Sequence, residues 1–464
     1  MTDLQYLTIG ELSVALARRD VSPVEVVQAQ LDRIAAHDGM LHSYACVMAD
    51  EALAAARRAE ADIAAGMTRG PLHGVPLGIK DLFWTRDAPT AAGSAIHRDF
   101  WSTQDATAVR RLREVGAIPL GKLEMTEGAY SDYHPSVTPP VNPWHADYWP
   151  GISSSGPAVA VAAGLSYGAL ASDTGGSIRW PAAATGITGL KPSWGRVSRY
   201  GVLELAASLD HVGMLTRSAA DAGLLLDAVA GADPLDPTAV QASVPDRFGD
   251  AMLDLRGVRI GVDPAWNGDG VDDVVLPVLT RAQEVLAALG AEIVEVTVPD
   301  VGDAVADWPA NCAVEAAVAH QATYPSRTSD YGPVLAAVLD QGHALSGMEY
   351  QRILLRRMAL RGAFDALFGR IDLLLTPVHP FAPLTLARIS TLGEQPHLIA
   401  ALQRYTCPFN MTGLPTLTLP GGQDAIGMPI GFQLVAGHLR EAPLIRAGIA
   451  YQGSTSWHRR RPID

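Results

Sequence analysis

Apolar residues recur at helical spacing through the first seventy residues and predict three helices there. The first spans residues 8–19. The second opens at Ser22-Pro23-Val24-Glu25, which is a capping box with proline at the first helical position, and should run to about residue 36. A third, alanine-rich helix spans 50–66 and ends at a glycine. We therefore predict a helical support layer over residues 1–70.

Helices and strands alternate through the rest of the chain, with glycines at several of the boundaries. The predicted helices span residues 105–115, 218–229, 275–289 and 348–368. The predicted strands span residues 71–81, 117–120, 258–262, 293–298 and 372–376. This alternation predicts an α/β protein, a single large domain with a central mixed β-sheet covered by helices on both faces.

Three stretches lack a clear period. Residues 231–246 are rich in Asp, Pro and Ala and predict a surface loop, and residues 378–398 predict a long loop. Residues 300–346 are the least patterned part, a mixture of helical and loop sequence.

Composition and charge exclude several classes of function. A net charge of −14 argues against a nucleic-acid surface, which needs clustered Lys and Arg. No apolar run approaches the roughly 18 residues of a membrane span, and the N-terminus lacks the pattern of an export signal. Cys46, Cys312 and Cys407 are far apart and odd in number, as suits a reducing compartment. We expect a cytoplasmic protein without nucleic-acid or membrane partners.

Residues 149–199 hold the candidate active centre. Small residues dominate this stretch, and two serine clusters lie in it, at Ser153-Ser154-Ser155 and at Ser177. Glycine is useful where backbone must approach another group closely or take a positive φ, and it weakens ordinary helix or strand. Gly175 and Gly176 stand directly before Ser177 and have no side chains to cover the backbone. This suggests that backbone N–H groups are accessible around the Ser177 hydroxyl.

Known motifs narrow the chemistry. The chain has no phosphate-binding G-x-x-x-x-G-K-[ST] loop, no H-E-x-x-H zinc motif, and no G-x-S-x-G elbow around Ser177. A serine nucleophile activated by a side-chain base needs neither a metal nor an organic cofactor, so we expect none. A Ser-His-Asp triad stays open, with His211 the best placed of 13 histidines.

A lysine base is the other way to activate a serine. Lys80 ends an apolar run and, taken alone, is most simply a surface lysine at the end of a strand. A buried neutral lysine can nevertheless act as a base, and a second hydroxyl can relay the proton. The backbone N–H groups of residues 174–177 (Thr174, Gly175, Gly176 and Ser177) could then form an oxyanion hole.

Taken together, these segments resemble the signature of the amidase signature family. The similar segments are Gly151–Gly156 (GISSSG), Ser172–Pro181 (SDTGGSIRWP) and Gly189–Ser198 (GLKPSWGRVS). The resemblance extends to Gly78-Ile79-Lys80-Asp81 and to Phe409–Pro415 (FNMTGLP). It covers nearly the whole chain and is weakest between about residues 235 and 400.

The resemblance implies a role for each matched residue. Ser177 would be the nucleophile, Ser153 a bridging serine that follows a cis peptide bond, and Lys80 the base. Thr174, Gly175 and Gly176 would form the oxyanion hole. Ser154, Asp173 and Arg179 would support that loop. Ile152 stands where the family usually has glycine, so the cis bond would be Ile–Ser.

The family also implies how the chain is divided. The signature core with the catalytic residues would span 71–230, a variable substrate-pocket region 231–400, and a C-terminal return to the core 401–464. Residues expected to line the substrate pocket are Glu127, Gly128, Ala129, Tyr130 and Trp180. The aromatic content of the pocket regions favours an aryl or alkyl amide as the small-molecule substrate, with esters and carbamates attacked in the same way.

Two alternatives remain open. One is the A-type component of glutamyl-tRNA(Gln) amidotransferase, which releases ammonia from glutamine and shares the signature. That branch usually carries an acid where this chain has Gln403. The other is a catalytically idle scaffold of the same fold. The oligomeric state is open, and a homodimer is one option.

Overall fold

The computed structural model describes residues 4–242 and 254–463, and these form an eleven-stranded mixed sheet flanked by helices. The strands are β1 (Tyr44–Val47), β2 (Pro76–Lys80), β3 (Ile118–Leu123), β4 (Gly168–Asp173), β5 (Thr188–Lys191), β6 (His211–Thr216), β7 (Arg259–Val262), β8 (Glu292–Glu295), β9 (Leu373–Pro377), β10 (Thr416–Gln423) and β11 (Pro429–Ala436). Their order is β1-β3-β2-β4-β6-β5-β10-β11-β9-β7-β8. The predicted α/β fold with a central mixed sheet is confirmed.

Sixteen α-helices surround this sheet in the described part of the chain. They are α1 (Ile9–Arg18), α2 (Pro23–Leu41), α3 (Ala49–Ala64), α4 (Thr107–Glu114), α5 (Ser155–Ala162), α6 (Arg179–Thr185), α7 (Ala219–Val229), α8 (Pro264–Gly268), α9 (Leu276–Ala288), α10 (Gly302–Ala319), α11 (Pro333–Ala344), α12 (Gly347–Phe368), α13 (Leu386–Ser390), α14 (Pro396–Gln403), α15 (Cys407–Met411) and α16 (Glu441–Gly453).

The capping signals of the sequence act as expected. The Ser22 side chain accepts from the Glu25 N–H at 3.2 Å, and the Glu25 carboxylate accepts from the Ser22 N–H at 2.8 Å. The predicted end of α2 near residue 36 was wrong, because the helix continues to Leu41 and stops where His42 takes a left-handed conformation.

The centre of the sheet positions the chemistry. β2 runs parallel to its neighbours β3 and β4, and all residues of these three strands are buried. The carboxyl ends of parallel strands meet at one edge of a sheet, where ligands commonly bind. Lys80 ends β2 and Asp173 ends β4, so the two residues emerge at the same edge.

Elsewhere the sequence predictions needed correction. Six strands (β1, β4, β5, β6, β10 and β11) were not predicted. Apart from β1, these strands are buried along almost their whole length, so they lack the alternation of a half-exposed strand. Residues 300–346 are a mixture of helix and loop, as predicted, and their helices are α10 and α11. The predicted long loop at 378–398 is interrupted by α13. In the predicted surface loop at 231–246, Asp233 and Asp236 are buried, and its last residues, from 243, lie outside the described residues.

Among the described residues, no helix combines the length and the apolar character that crossing a membrane requires.

Candidate active site

Lys80 lies at the centre of a cluster of serine hydroxyls. Its Nζ is 2.7 Å from Ser153 Oγ, 2.9 Å from Ser154 Oγ and 2.9 Å from Ser172 Oγ. Lys80, Ser153 and Ser154 are 0% exposed. Sequence reasoning assigned no role to Ser172. Its only signal was its position at the start of the Ser172–Pro181 segment.

Burial sets the protonation of this lysine. Removal from water disfavours the ammonium and lowers the pKa of Lys80 to about 7, although the charges of Asp173 and Asp210 act in the opposite direction. A substantial fraction of the amine is therefore neutral at neutral pH, as a general base requires.

Ser153 contacts Lys80, and the residue after it contacts the loop that carries Ser177. The peptide bond between Ile152 and Ser153 is cis. The next residue, Ser154, donates its N–H to the Ser177 carbonyl at 3.3 Å. Ser177 is 7% exposed, and in the described part of the chain its hydroxyl has no hydrogen-bond partner, Ser153 included. The structure thus joins Lys80 to Ser153 directly and brings the Ser177 loop alongside them.

The loop before Ser177 offers unused hydrogen-bond donors. None of the N–H groups of residues 174–177 donates to an acceptor among the described residues. The next two N–H groups differ, because those of Ile178 and Arg179 both point to the Asp173 carboxylate, at 3.0 and 3.4 Å. Free backbone donors beside a hydroxyl without a partner are the arrangement that an oxyanion hole needs.

Asp173 and Arg179 stand at the two ends of this loop and bond each other. Arg179 donates to both oxygens of Asp173, at 3.0 and 2.7 Å, and to the Thr406 carbonyl at 2.8 Å. Asn410 completes the network with its Nδ2 2.8 Å from Asp173 Oδ1. Sequence reasoning missed Asn410, whose signal was its place in the Phe409–Pro415 segment.

The expected pocket segment lies close to this loop. The Tyr130 ring stacks on Trp308, with ring centroids 6.4 Å apart and planes 9° apart. The Trp180 ring lies against Gly176, since a Cβ there would be 2.5 Å from it. The Glu127 side chain points toward the start of α11, where its carboxylate accepts from the N–H of the N-cap residue Gly332 at 3.0 Å.

Gly128 and Ala129 complete that segment. Both have positive φ, and Ala129 is buried. The Gly128 N–H donates to the Ala92 carbonyl at 2.9 Å, which fixes the turn before Tyr130.

His211 lacks the contacts of a triad histidine. Its Nδ1 faces the Leu209 carbonyl at 2.6 Å, and burial lowers the pKa of its ring well below the usual value. Across the described ranges, Ser177 has no hydrogen bond to His211. In the same ranges no cluster of three or more His, Cys, Asp or Glu side chains is arranged to hold a metal ion.

Comparison with known proteins identifies the family. Residues 25–445 match the family described as Amidase. Over 476 residues the chain is 47% identical to "Putative amidase AmiD" of Mycobacterium tuberculosis, covering 99% of this chain and 96% of that protein. It is 39% identical to the A-type component of the glutamyl-tRNA(Gln) amidotransferase of Moorella thermoacetica, with 99% of each chain covered.

A solved structure supports the same assignment. A bacterial aryl acylamidase described as an amidase signature enzyme superposes with a TM-score of 0.87, at 25% identity, over 99% of this chain and 98% of its own. The chain belongs to the amidase signature family and is an amidase, a hydrolase acting on the carbon–nitrogen bond of amides.

Proposed function

We propose that this amidase forms an acyl-enzyme on Ser177, using Ser153 and Lys80 as a proton relay. The observation that carries the proposal is the contact of the buried Lys80 amine with Ser153 Oγ, at 2.7 Å. The next residue, Ser154, donates its N–H to the Ser177 carbonyl, so the relay serine adjoins the loop of the nucleophile. No other base contacts either hydroxyl among the described residues.

The first step moves one proton along the relay. Neutral Lys80 takes the hydroxyl proton of Ser153, which takes that of Ser177. The Ser177 oxygen forms a bond to the amide carbonyl carbon, and the carbonyl π electrons move onto its oxygen. The free N–H groups of residues 174–177 stabilise that negative charge without reorganising.

The second step breaks the carbon–nitrogen bond. The proton returns from Lys80 through Ser153 to the leaving nitrogen, because an amide anion is too basic to leave unprotonated. The oxyanion collapses, the amine departs and Ser177 remains acylated. Water, activated by the same relay, then hydrolyses the ester and releases the carboxylic acid.

We further propose aryl and alkyl amides as the substrates. Tyr130, Trp308 and Trp180 surround the oxyanion loop with aromatic surface, which suits an apolar acyl or amine group. The aryl acylamidase with the same fold supports this choice. Esters and carbamates present the same carbonyl to Ser177 and are expected to be cleaved as well.

The amidotransferase role is the less favoured alternative. Gln403 carries no charge to pair with the free amino group of glutamine, and the identity to the amidotransferase component is 39% against 47% to the amidase. Glutaminase activity together with co-purification of two partner proteins would favour that role instead.

The test combines labelling with a substrate panel. A fluorophosphonate should label the wild-type protein and not Ser177→Ala, and amide hydrolysis by Ser177→Ala should fall by several orders of magnitude. The panel contains matched amide, anilide, ester and carbamate substrates. Full activity in Ser177→Ala, or labelling at another residue, would disprove the mechanism.

A further inference from the structure

Thr174, the first residue of the oxyanion loop, is held at two points by groups outside that loop. Its hydroxyl donates to Asp210 Oδ1 at 2.6 Å. Its carbonyl accepts from the indole N–H of Trp308 at 2.8 Å. Thr174, Asp210 and Trp308 are 2%, 5% and 7% exposed, so water competes little for either bond.

The bond to Trp308 fixes the direction of an oxyanion donor. In a trans peptide unit the C=O and the following N–H point in opposite directions. Orienting the Thr174 carbonyl toward Trp308 therefore orients the Gly175 N–H away from it. The same indole ring covers Gly175 closely, since a Cβ there would be 2.5 Å from Trp308 Cζ2. That peptide plane has little room to rotate.

Asp210 is itself fixed. Its second carboxylate oxygen accepts from the N–H groups of Leu205 and Ala206, at 3.0 and 3.1 Å. One carboxylate oxygen thus accepts from the backbone of its own loop, and the other accepts from the Thr174 hydroxyl.

A partly buried network joins the two holding groups. Ser208, in the Asp210 loop, donates its N–H and hydroxyl to the Glu315 carboxylate, at 2.7 and 2.6 Å. Glu315 lies on α10, the helix that carries Trp308. Arg357 of α12 donates to the Ser208 hydroxyl at 2.6 Å and to Asn311 Oδ1 at 2.8 Å. The Asp210 loop and α10 therefore act as one frame around Thr174.

We propose that Asp210 and Trp308 are positioning residues for the oxyanion hole, acting through Thr174. The inference rests on the proposed Ser177 mechanism.

The charged groups around Lys80 and Asp210 determine how the loss of the Asp210 charge should change the pH profile. The charges that act on Lys80 are those of Asp173, at the end of β4, and Asp210, before β6. Asp210 faces the Thr174 hydroxyl, the charge of Arg199 and, from α10, the Cys312 thiol. Burial raises the pKa of Asp210 to about 6, so the group is mostly charged at neutral pH.

Four variants test the inference by kcat, KM and the pH dependence of kcat/KM. Asp210→Asn keeps the size and removes the charge, Thr174→Val removes the hydroxyl, and Trp308→Phe removes the indole N–H. The fourth is the Thr174→Val/Asp210→Asn double variant. We expect kcat to fall about 10- to 100-fold in each single variant with KM within about threefold, because losing an oxyanion donor outright costs roughly 100- to 1,000-fold.

The double variant should lose less kcat than the product of the two single losses, since both changes act on the same hydrogen bond. Asp210→Asn should also move the acidic limb of kcat/KM to lower pH, because the neutral side chain no longer favours protonated Lys80. Thr174→Val, which keeps the carboxylate, should move that limb less.

Two matched controls separate positioning from general damage. Asp233→Asn also changes a buried aspartate that accepts a hydroxyl at 2.6 Å, from Ser198. Trp144→Phe also removes an indole bond of 2.8 Å to a carbonyl, that of Thr185. Both should keep kcat and the pH limb of the wild type.

The outcomes distinguish the two proposals. Suppose that Ser177→Ala inactivates the enzyme, while Asp210→Asn and Trp308→Phe match the controls in kcat and in the acidic limb of kcat/KM. That result overturns this inference and leaves the Ser177 mechanism standing. Undiminished hydrolysis by Ser177→Ala overturns the mechanism beneath it. If Asp210→Asn does not fold, Thr174→Val tests the same hydrogen bond from its other end, and an unchanged kcat there also overturns the inference.

Discussion

The Asp173 carboxylate and the Arg179 guanidinium form a bidentate ion pair in which both side chains are 0% exposed. Burial acts to raise the pKa of Asp173, and the Arg179 charge and hydrogen bonds more than offset this and hold it well below its usual value. The pair flanks the loop of residues 174–177, and the Asp173 carboxylate also accepts from the N–H groups of Ile178 and Arg179. It therefore links the stability of the protein to the geometry of its active site.

Breaking that pair should destabilise the protein. Arg179→Met leaves the Asp173 charge buried without its main partner, and such losses typically cost about 3–5 kcal/mol. The free energy of unfolding in urea measures the effect. Arg110→Met, which breaks an exposed i,i+4 pair with Glu114, is the control and should change stability by less than about 1 kcal/mol. Equal losses in the two variants would contradict the bracing role.

The rate should rise with pH through the titration of Lys80. Only the neutral amine can accept the Ser153 proton, and burial brings the pKa of Lys80 to about 7. We expect kcat/KM for an uncharged amide to fall about tenfold per pH unit on the acidic side and to level off above neutrality. Measurement between pH 5 and 9 checks this, and a flat profile would exclude Lys80 as the base.

A single methyl group at Gly176 should disrupt the oxyanion loop. Gly176 has φ of +145°, and a Cβ there would be 2.5–2.8 Å from the Trp180 ring. We expect Gly176→Ala to lower kcat by at least 100-fold. Gly39→Ala is the control, because a Cβ at this site in α2 meets nothing within 4 Å. That control should stabilise the protein by about 0.5–1 kcal/mol and leave the rate unchanged.

Removal of the Tyr130 ring should act on large substrates selectively. The ring stacks on Trp308 beside the oxyanion loop. Tyr130→Ala should raise KM for anilides with aromatic acyl groups about 5- to 10-fold, the equivalent of roughly 1–1.5 kcal/mol of aromatic contact. Acetamide, which is too small to reach the ring, serves as the matched control substrate. Equal changes for both substrates would place the acyl group elsewhere.

The sequence by itself predicted the α/β class and marked the stretch that holds the candidate active site. Alternation of helices and strands predicted the class, and the serine–glycine stretch selected Ser153, Ser177 and the loop between Asp173 and Arg179. These signals are local, because the residues are close in sequence and their types are constrained by chemistry. The residues alone left the base and the bridging serine open, and the family resemblance assigned the separate roles of Ser153, Ser177 and Lys80.

Tertiary structure decided how far groups stand from one another and which atoms remain free. Asp210 and Trp308 meet Thr174 from elements 36 and 134 positions away in the chain, and no periodicity encodes such a contact. The same holds for Ser172, whose hydroxyl reaches Lys80 because β2 and β4 end at one edge of the sheet. Burial, which brings the pKa of Lys80 near neutrality, is likewise a property of the packed sheet and its helices. The sequence determined which groups are available for catalysis, and folding determined which of them meet and how they ionise.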